Sequence, residues 1–212
     1  MRRYVEGRVN KRIHSTPINI KDDLEGIDLD LVCDTIESLI SQDFLANIDG
    51  ILIGKFPELD AKQVTAAYAD GAIYISSSHT SEEGIIEDII HEIAHSIEET
   101  HGSSIYSDSK LVSEFLSKRK YIYFYLNHEG MTPPDDFLVE PDYSLEIDKF
   151  LHDVVGYEAL ESLSTSVFLN PYSMTSVREY WAVGFSNYVY GNQKTIKNMC
   201  PALYSKLEEI VK

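Results

Sequence analysis

At 212 residues, with 43% hydrophobic content and 25% of the chain charged, the composition is that of an ordinary globular protein with enough apolar material for a sizeable core. A formal net charge of −17 works against nucleic-acid phosphates and anionic membrane surfaces, which are bound through basic patches, so neither nucleic acid nor membrane is expected as a partner. No window approaches the roughly 20 consecutive apolar residues of a membrane span, and the two cysteines, Cys33 and Cys200, fit neither a disulfide framework nor a paired-cysteine metal site, which points to a reducing, cytoplasmic setting.

Residues 1–21 hold six basic residues, from Arg2 to Lys21, against the single acid Glu6. They read as a basic N-terminal arm, followed by a single domain over residues 22–212. Helical spacing of Leu29, Leu31, Val32, Ile36, Leu39 and Ile40 predicts a first helix, and Ile51-Leu52-Ile53-Gly54 a short buried strand. Residues 64–77 then predict a β-hairpin, because Ala66-Ala67-Tyr68 and Ala72-Ile73-Tyr74-Ile75-Ser76 flank the turn-forming Ala69-Asp70-Gly71. Thr80 with Glu83 makes a capping box that starts the next helix. Beyond it the pattern is mostly helical over residues 110–126 and 143–168, with a loop at 129–136 between them. A helix over 176–190, ended by Gly191, and a last amphipathic helix over 200–211 complete the chain.

The chemistry concentrates in the helix after the hairpin, which contains His91-Glu92-Ile93-Ala94-His95. Residues four apart share a helix face, so His91 and His95 can direct two imidazole nitrogens at one point, with Glu92 beside it. Zinc held by two imidazoles and one further ligand keeps a position for water, whose pKa falls from 15.7 towards about 7; Glu92 can take the water's proton. The bland alternative is a surface helix that matches by chance. Against it, Ile85, Ile86, Ile89, Ile90, Ile93 and Ile97 make this helix deeply apolar, and buried imidazoles need partners.

Three residues are candidates for the third ligand. His101 stands six residues after His95, but the pattern with that spacing needs a glycine three places after the second histidine, and Glu98 stands there, which disfavours His101. Glu98 lies one turn further along the same face and would have to reach back, so it suits a role behind the ligand or at the surface. Glu179, in Arg178-Glu179-Tyr180-Trp181-Ala182-Val183-Gly184-Phe185, would arrive on a second helix. Its alternative is a capping box with Ser176.

The run from His91 to Gly102, with the acidic pair Glu98-Glu99, and Tyr172 seven residues ahead of Glu179-Tyr180-Trp181-Ala182, resembles the lethal-factor-type zinc peptidases. That family includes the anthrax lethal factor catalytic domain and the Pro-Pro endopeptidases, and short metallopeptidase-like chains encoded by bacteriophages share the layout. The resemblance covers roughly residues 50–110 and 170–212. It implies an α+β, zincin-like fold: a small antiparallel-edged sheet packed on the active-site helix, with a mostly helical C-terminal half. It further implies one Zn2+ per chain on His91, His95 and Glu179, with Glu92 as general base and Tyr172 donating to the oxyanion. A phenol so placed would stabilise the tetrahedral intermediate; the alternative for Tyr172 is a packed core tyrosine. The chain departs from the family at Ala94, often glycine there, and at Val183, where an acid is common.

The expected function is thus a zinc-dependent metalloendopeptidase that hydrolyses peptide bonds by metal-activated water. Its polypeptide substrate would be laid as an added strand along residues 72–76, in the cytoplasm of the cell or, for a bacteriophage protein, of the host. One rival is a catalytically inactive zincin-like binding or assembly module of a virus or mobile element. Another is a metal-free interaction domain whose acidic surface binds a basic partner.

Overall fold

Alternation of apolar and polar residues sets the first elements. The computed structural model describes residues 8–22 and 24–211, and Arg8–Ile13 (β1) and Thr16–Ile20 (β2) are antiparallel strands. The reading of residues 1–21 as an arm is therefore corrected for these two strands; residues 1–7 lie outside the described residues. The physical reason is a period of two in β2, where Thr16 and Ile18 are buried, with Ile13 of β1 buried opposite Thr16, a pattern hidden by the count of basic residues around it. Lys11 also bonds Asp30 at the start of the first helix.

That helix, Leu29–Leu39 (α1), is capped by Asp28, whose side chain accepts from Asp30 N and Leu31 N, and it buries Val32, Cys33 and Ile36. It leads to Gly50–Gly54 (β3), a strand buried along its whole length. A short helix, Pro57–Lys62 (α2), then precedes the hairpin Ala66–Ala69 (β4) and Ala72–Ser76 (β5). The hairpin turn is the expected one: Asp70 and Gly71 both take positive φ, 51° and 75°, the pairing of signs a two-residue turn between twisted strands requires.

Among the described residues, five strands form one mixed sheet in the order β1-β2-β3-β5-β4, parallel between β2, β3 and β5 and antiparallel at both edges. Ile51, Ile53, Ile73 and Ile75 are fully buried on one face. Leu52 points to the other, where it packs with Phe56 and Leu59 against Val64, Ala67, Ala72 and Tyr74. The order carries a correction: β5, expected to receive an added substrate strand, lies inside the sheet between β3 and β4, and the edge on that side is β4.

The long helix Glu82–Tyr106 (α3) follows. Its cap is Ser81, whose hydroxyl accepts from Gly84 N at 3.2 Å, one residue later than the expected Thr80–Glu83 box. The chain divides into two compact units, one ending at Thr100 and the other beginning at His101. A single domain was expected; the division falls within continuous α3.

The second unit is helical. It comprises Lys110–His128 (α4), Leu145–Lys149 (α5) continued by a π-helical turn Phe150–Val155, Tyr157–Ser164 (α6), Val177–Val189 (α7), Gln193–Met199 (α8) and Pro201–Val211 (α9). The continuous pattern expected over 143–168 is broken at Gly156, whose φ of 82° no right-handed helix accommodates. The interior is aromatic: Phe115, Phe137, Phe168, Tyr180, Trp181 and Phe185 are fully buried. Phe115, Phe168 and Tyr180 form a mutual cluster with ring centres 5.7–6.0 Å apart. The fold class is α+β, as expected.

Candidate metal centre

The sequence of α3 makes it a buried helix. Ile85, Ile86, Ile89, Ile90, Ile93, Ala94 and Ile97 are at most 3% exposed, so polar groups among them are stable only with partners. Those partners are present. Glu92, itself buried, accepts a hydrogen bond from Tyr68 N at 2.7 Å, and Asn47 Nδ2 donates to Ser96 O at 3.1 Å. The Tyr68 N–H belongs to the edge strand β4, so the outer side of that edge faces the Glu92 carboxylate. Burial and Glu99 together push the Tyr68 phenol up to about 12, which keeps it a neutral hydroxyl.

The His91 and His95 rings lie with centres 4.9 Å apart and planes at 78°, as one turn of helix dictates. His95 Nδ1 lies 3.1 Å from a Glu98 carboxylate oxygen, and the Glu98 side chain is only 7% exposed. A surface role for Glu98 is thereby removed. A carboxylate on Nδ1 orients the ring and, by accepting its N–H, would leave Nε2 as the nitrogen able to bind a metal.

Glu179 stands in the first turn of α7. Ser176 caps that helix, its hydroxyl accepting from Glu179 N at 3.1 Å. That bond is one half of the expected capping box; the other half, like a ligand, would use the Glu179 carboxylate. Among the described residues, His91, His95 and Glu179 form a group able to hold a metal ion, with one ligand atom from each and all of them within 4.8 Å of one another. Each of the three is half-buried.

The donor chemistry fits zinc. Two imidazoles and a carboxylate are a set that zinc takes when one position remains for water.

Tyr172 begins a 3-10 turn, Tyr172–Met174, ahead of α7. At 37% exposure it is not the packed core tyrosine that was its alternative. His101 is not in the ligand group, and Val183 is buried apolar lining with no acid in its place.

Two positions escaped the sequence reading. Asn47 had no signal. Arg119 had one: it falls in register with the buried Leu111, Phe115, Ile122 and Leu126 of α4, and an arginine on an apolar stripe is a residue with a task.

No protein-family model matches the chain, and comparisons with curated proteins and with solved structures find no match either. Among the described residues no helix is long and apolar enough to cross a membrane.

Proposed function

We propose that this chain is a zinc-dependent metalloendopeptidase of zincin-like build, with one Zn2+ held by His91, His95 and Glu179. The observation that carries the reading is the grouping of these three donors around a motif whose intervening acid, Glu92, is buried and oriented. Zinc bound there would lower the pKa of water towards about 7 and polarise a peptide carbonyl. Glu92, steered by the Tyr68 N–H, takes the attacking water's proton and returns it to the departing amine. Glu98 holds the His95 ring in its donor tautomer. Tyr172 donates its phenolic hydrogen to the carbonyl oxygen as negative charge develops there. An extended substrate runs along β4, the outer strand of the sheet on that side, beside the Glu92 carboxylate that the Tyr68 N–H holds.

The test uses protein purified without a histidine tag, assayed for zinc per chain and for cleavage of a peptide library. Close to one zinc per chain, with cleavage lost in Glu92→Gln, is the expected result. Zinc without cleavage in the unaltered protein would identify a binding or assembly module instead. Failure to take up zinc on reconstitution would sink both and leave a metal-free interaction domain.

A further inference from the structure

Arg119 is fully buried in the second unit. Its guanidinium carbon lies 4.6 Å from the Phe115 ring centre and 5.2 Å from that of Phe137. Its hydrogen bonds all go to backbone carbonyls: Nε to Met174 O at 2.9 Å, Nη2 to Thr175 O at 2.6 Å and Nη1 to Glu140 O at 2.7 Å. Burial lowers its pKa to about 10, with Asp136 and Glu140 pulling the other way, so it is a cation at neutral pH. Burying a charge merely to fill space is costly, and a hydrophobic residue of similar size would fill it more cheaply.

The carbonyls it grips show what the charge is for. Met174 and Thr175 immediately precede Ser176, the N-cap of α7, and close the turn that begins at Tyr172. Their carbonyls precede the first carbonyl of α7's own hydrogen-bond ladder, that of Ser176, and, once buried, need donors from elsewhere. A planar fork of donors satisfies neighbouring carbonyls in one fixed geometry, which a lysine cannot. Val177 N donating to Pro141 O at 2.7 Å ties the same corner from the other side.

We propose that Arg119 is a positioning residue that sets the entry of α7, and through it the placement of Glu179 and Tyr172. The inference rests on the reading of Glu179 as a zinc ligand. Arg119 touches neither residue's functional atoms; it holds the backbone between them.

The test is a double-mutant cycle on the full chain, with zinc affinity measured by competition with a chromogenic chelator. Arg119→Lys is expected to weaken zinc binding about tenfold, in the range typical of residues that orient ligands. In a Glu179→Ala background the same change should cost no further affinity. Thermal unfolding of the zinc-free proteins separates this from loss of stability, which a purely structural arginine would also produce. An Arg119→Lys protein that is less stable but binds zinc as before would overturn the inference, and so would an equal loss of affinity with and without Glu179. If Arg119→Lys does not fold, Phe137→Leu, which loosens one side of the guanidinium stack, enters the same cycle with the same expectations. The zinc reading itself fails differently: His91→Ala would then change zinc binding no more than a surface substitution does.

Discussion

The two helices that carry the candidate ligands are positioned by opposite means. In α3 the polar side chains are fixed one at a time, Glu92 by the Tyr68 N–H and His95 by the Glu98 carboxylate. In α7 the helix itself is fixed at its N-terminus, by the Ser176 cap, the Val177 bond to Pro141 and the Arg119 grip on Met174 and Thr175. A buried helix bearing several polar groups must satisfy each locally. A buried helix that is apolar and aromatic around Tyr180, Trp181, Ala182, Val183 and Phe185 can carry one carboxylate in its first turn if its end is held. Loss of a partner should therefore read out as chemistry in α3 and as helix placement or stability in α7.

The largest effect is expected at Glu92. Glu92→Gln should lower kcat by about 10² to 10⁴-fold while zinc content, measured by mass spectrometry of metals, stays near that of the unaltered protein. A variant with full turnover would remove the base assignment.

Next comes Glu98→Gln, which keeps the shape of the side chain but weakens its hold on His95 Nδ1. A loss in zinc affinity of about 10- to 100-fold is expected, with little change in the unfolding temperature of the zinc-free protein. An unchanged affinity would mean that the His95–Glu98 contact is only a surface-type ion pair, and the contrast with α7 would lose half its basis.

On α7 the corresponding probe is steric. A Cβ built on Gly184 lies 2.4 Å from Leu203 Cδ2 of the buried α9 face, so Gly184→Ala should destabilise the fold by about 1–3 kcal/mol, read by chemical denaturation. Ser176→Ala, removing the cap, should cost about 1 kcal/mol. If either left stability unchanged, α7 would not be held as the contrast requires.

The last effect lies in the first unit and is confined to alkaline pH. Burial, reinforced by Asp30, pushes the Cys33 thiol from 9.0 up to about 11. The folded state thus keeps its proton where the unfolded chain has lost it. The associated stability is fully present below about pH 9 and lost as pH rises to about 11. Denaturation midpoints from pH 8 upward should fall less steeply for Cys33→Ala than for the unaltered chain.

Much of the first unit is legible without coordinates. The buried strand at Ile51–Ile53, the hairpin turn at Asp70-Gly71 and the apolar run of α3 follow from periods of two and 3.6 and from turn chemistry, all local properties. The same holds for the pairing of His91 and His95, since four residues of helix bring them together whatever surrounds them. β1 and β2 are hidden in the sequence because six basic residues dominate a segment whose short apolar signal is Ile13, Ile18 and Ile20. The capping residue was off by one because Thr80 and Ser81 are chemically equivalent caps.

By itself, then, the sequence determined the helix, its two histidines and the acid between them. Only the tertiary structure decided that β4 and not β5 is the outer strand, and that an arginine in α4 grips the chain just ahead of Glu179. The reason is range. Periodicity describes neighbours within a turn or two of the chain, whereas the parallel strand pairings join residues 22 and 33 positions apart and the Arg119 clamp residues 21, 55 and 56 apart, and no local pattern encodes which distant carbonyl a buried guanidinium will find.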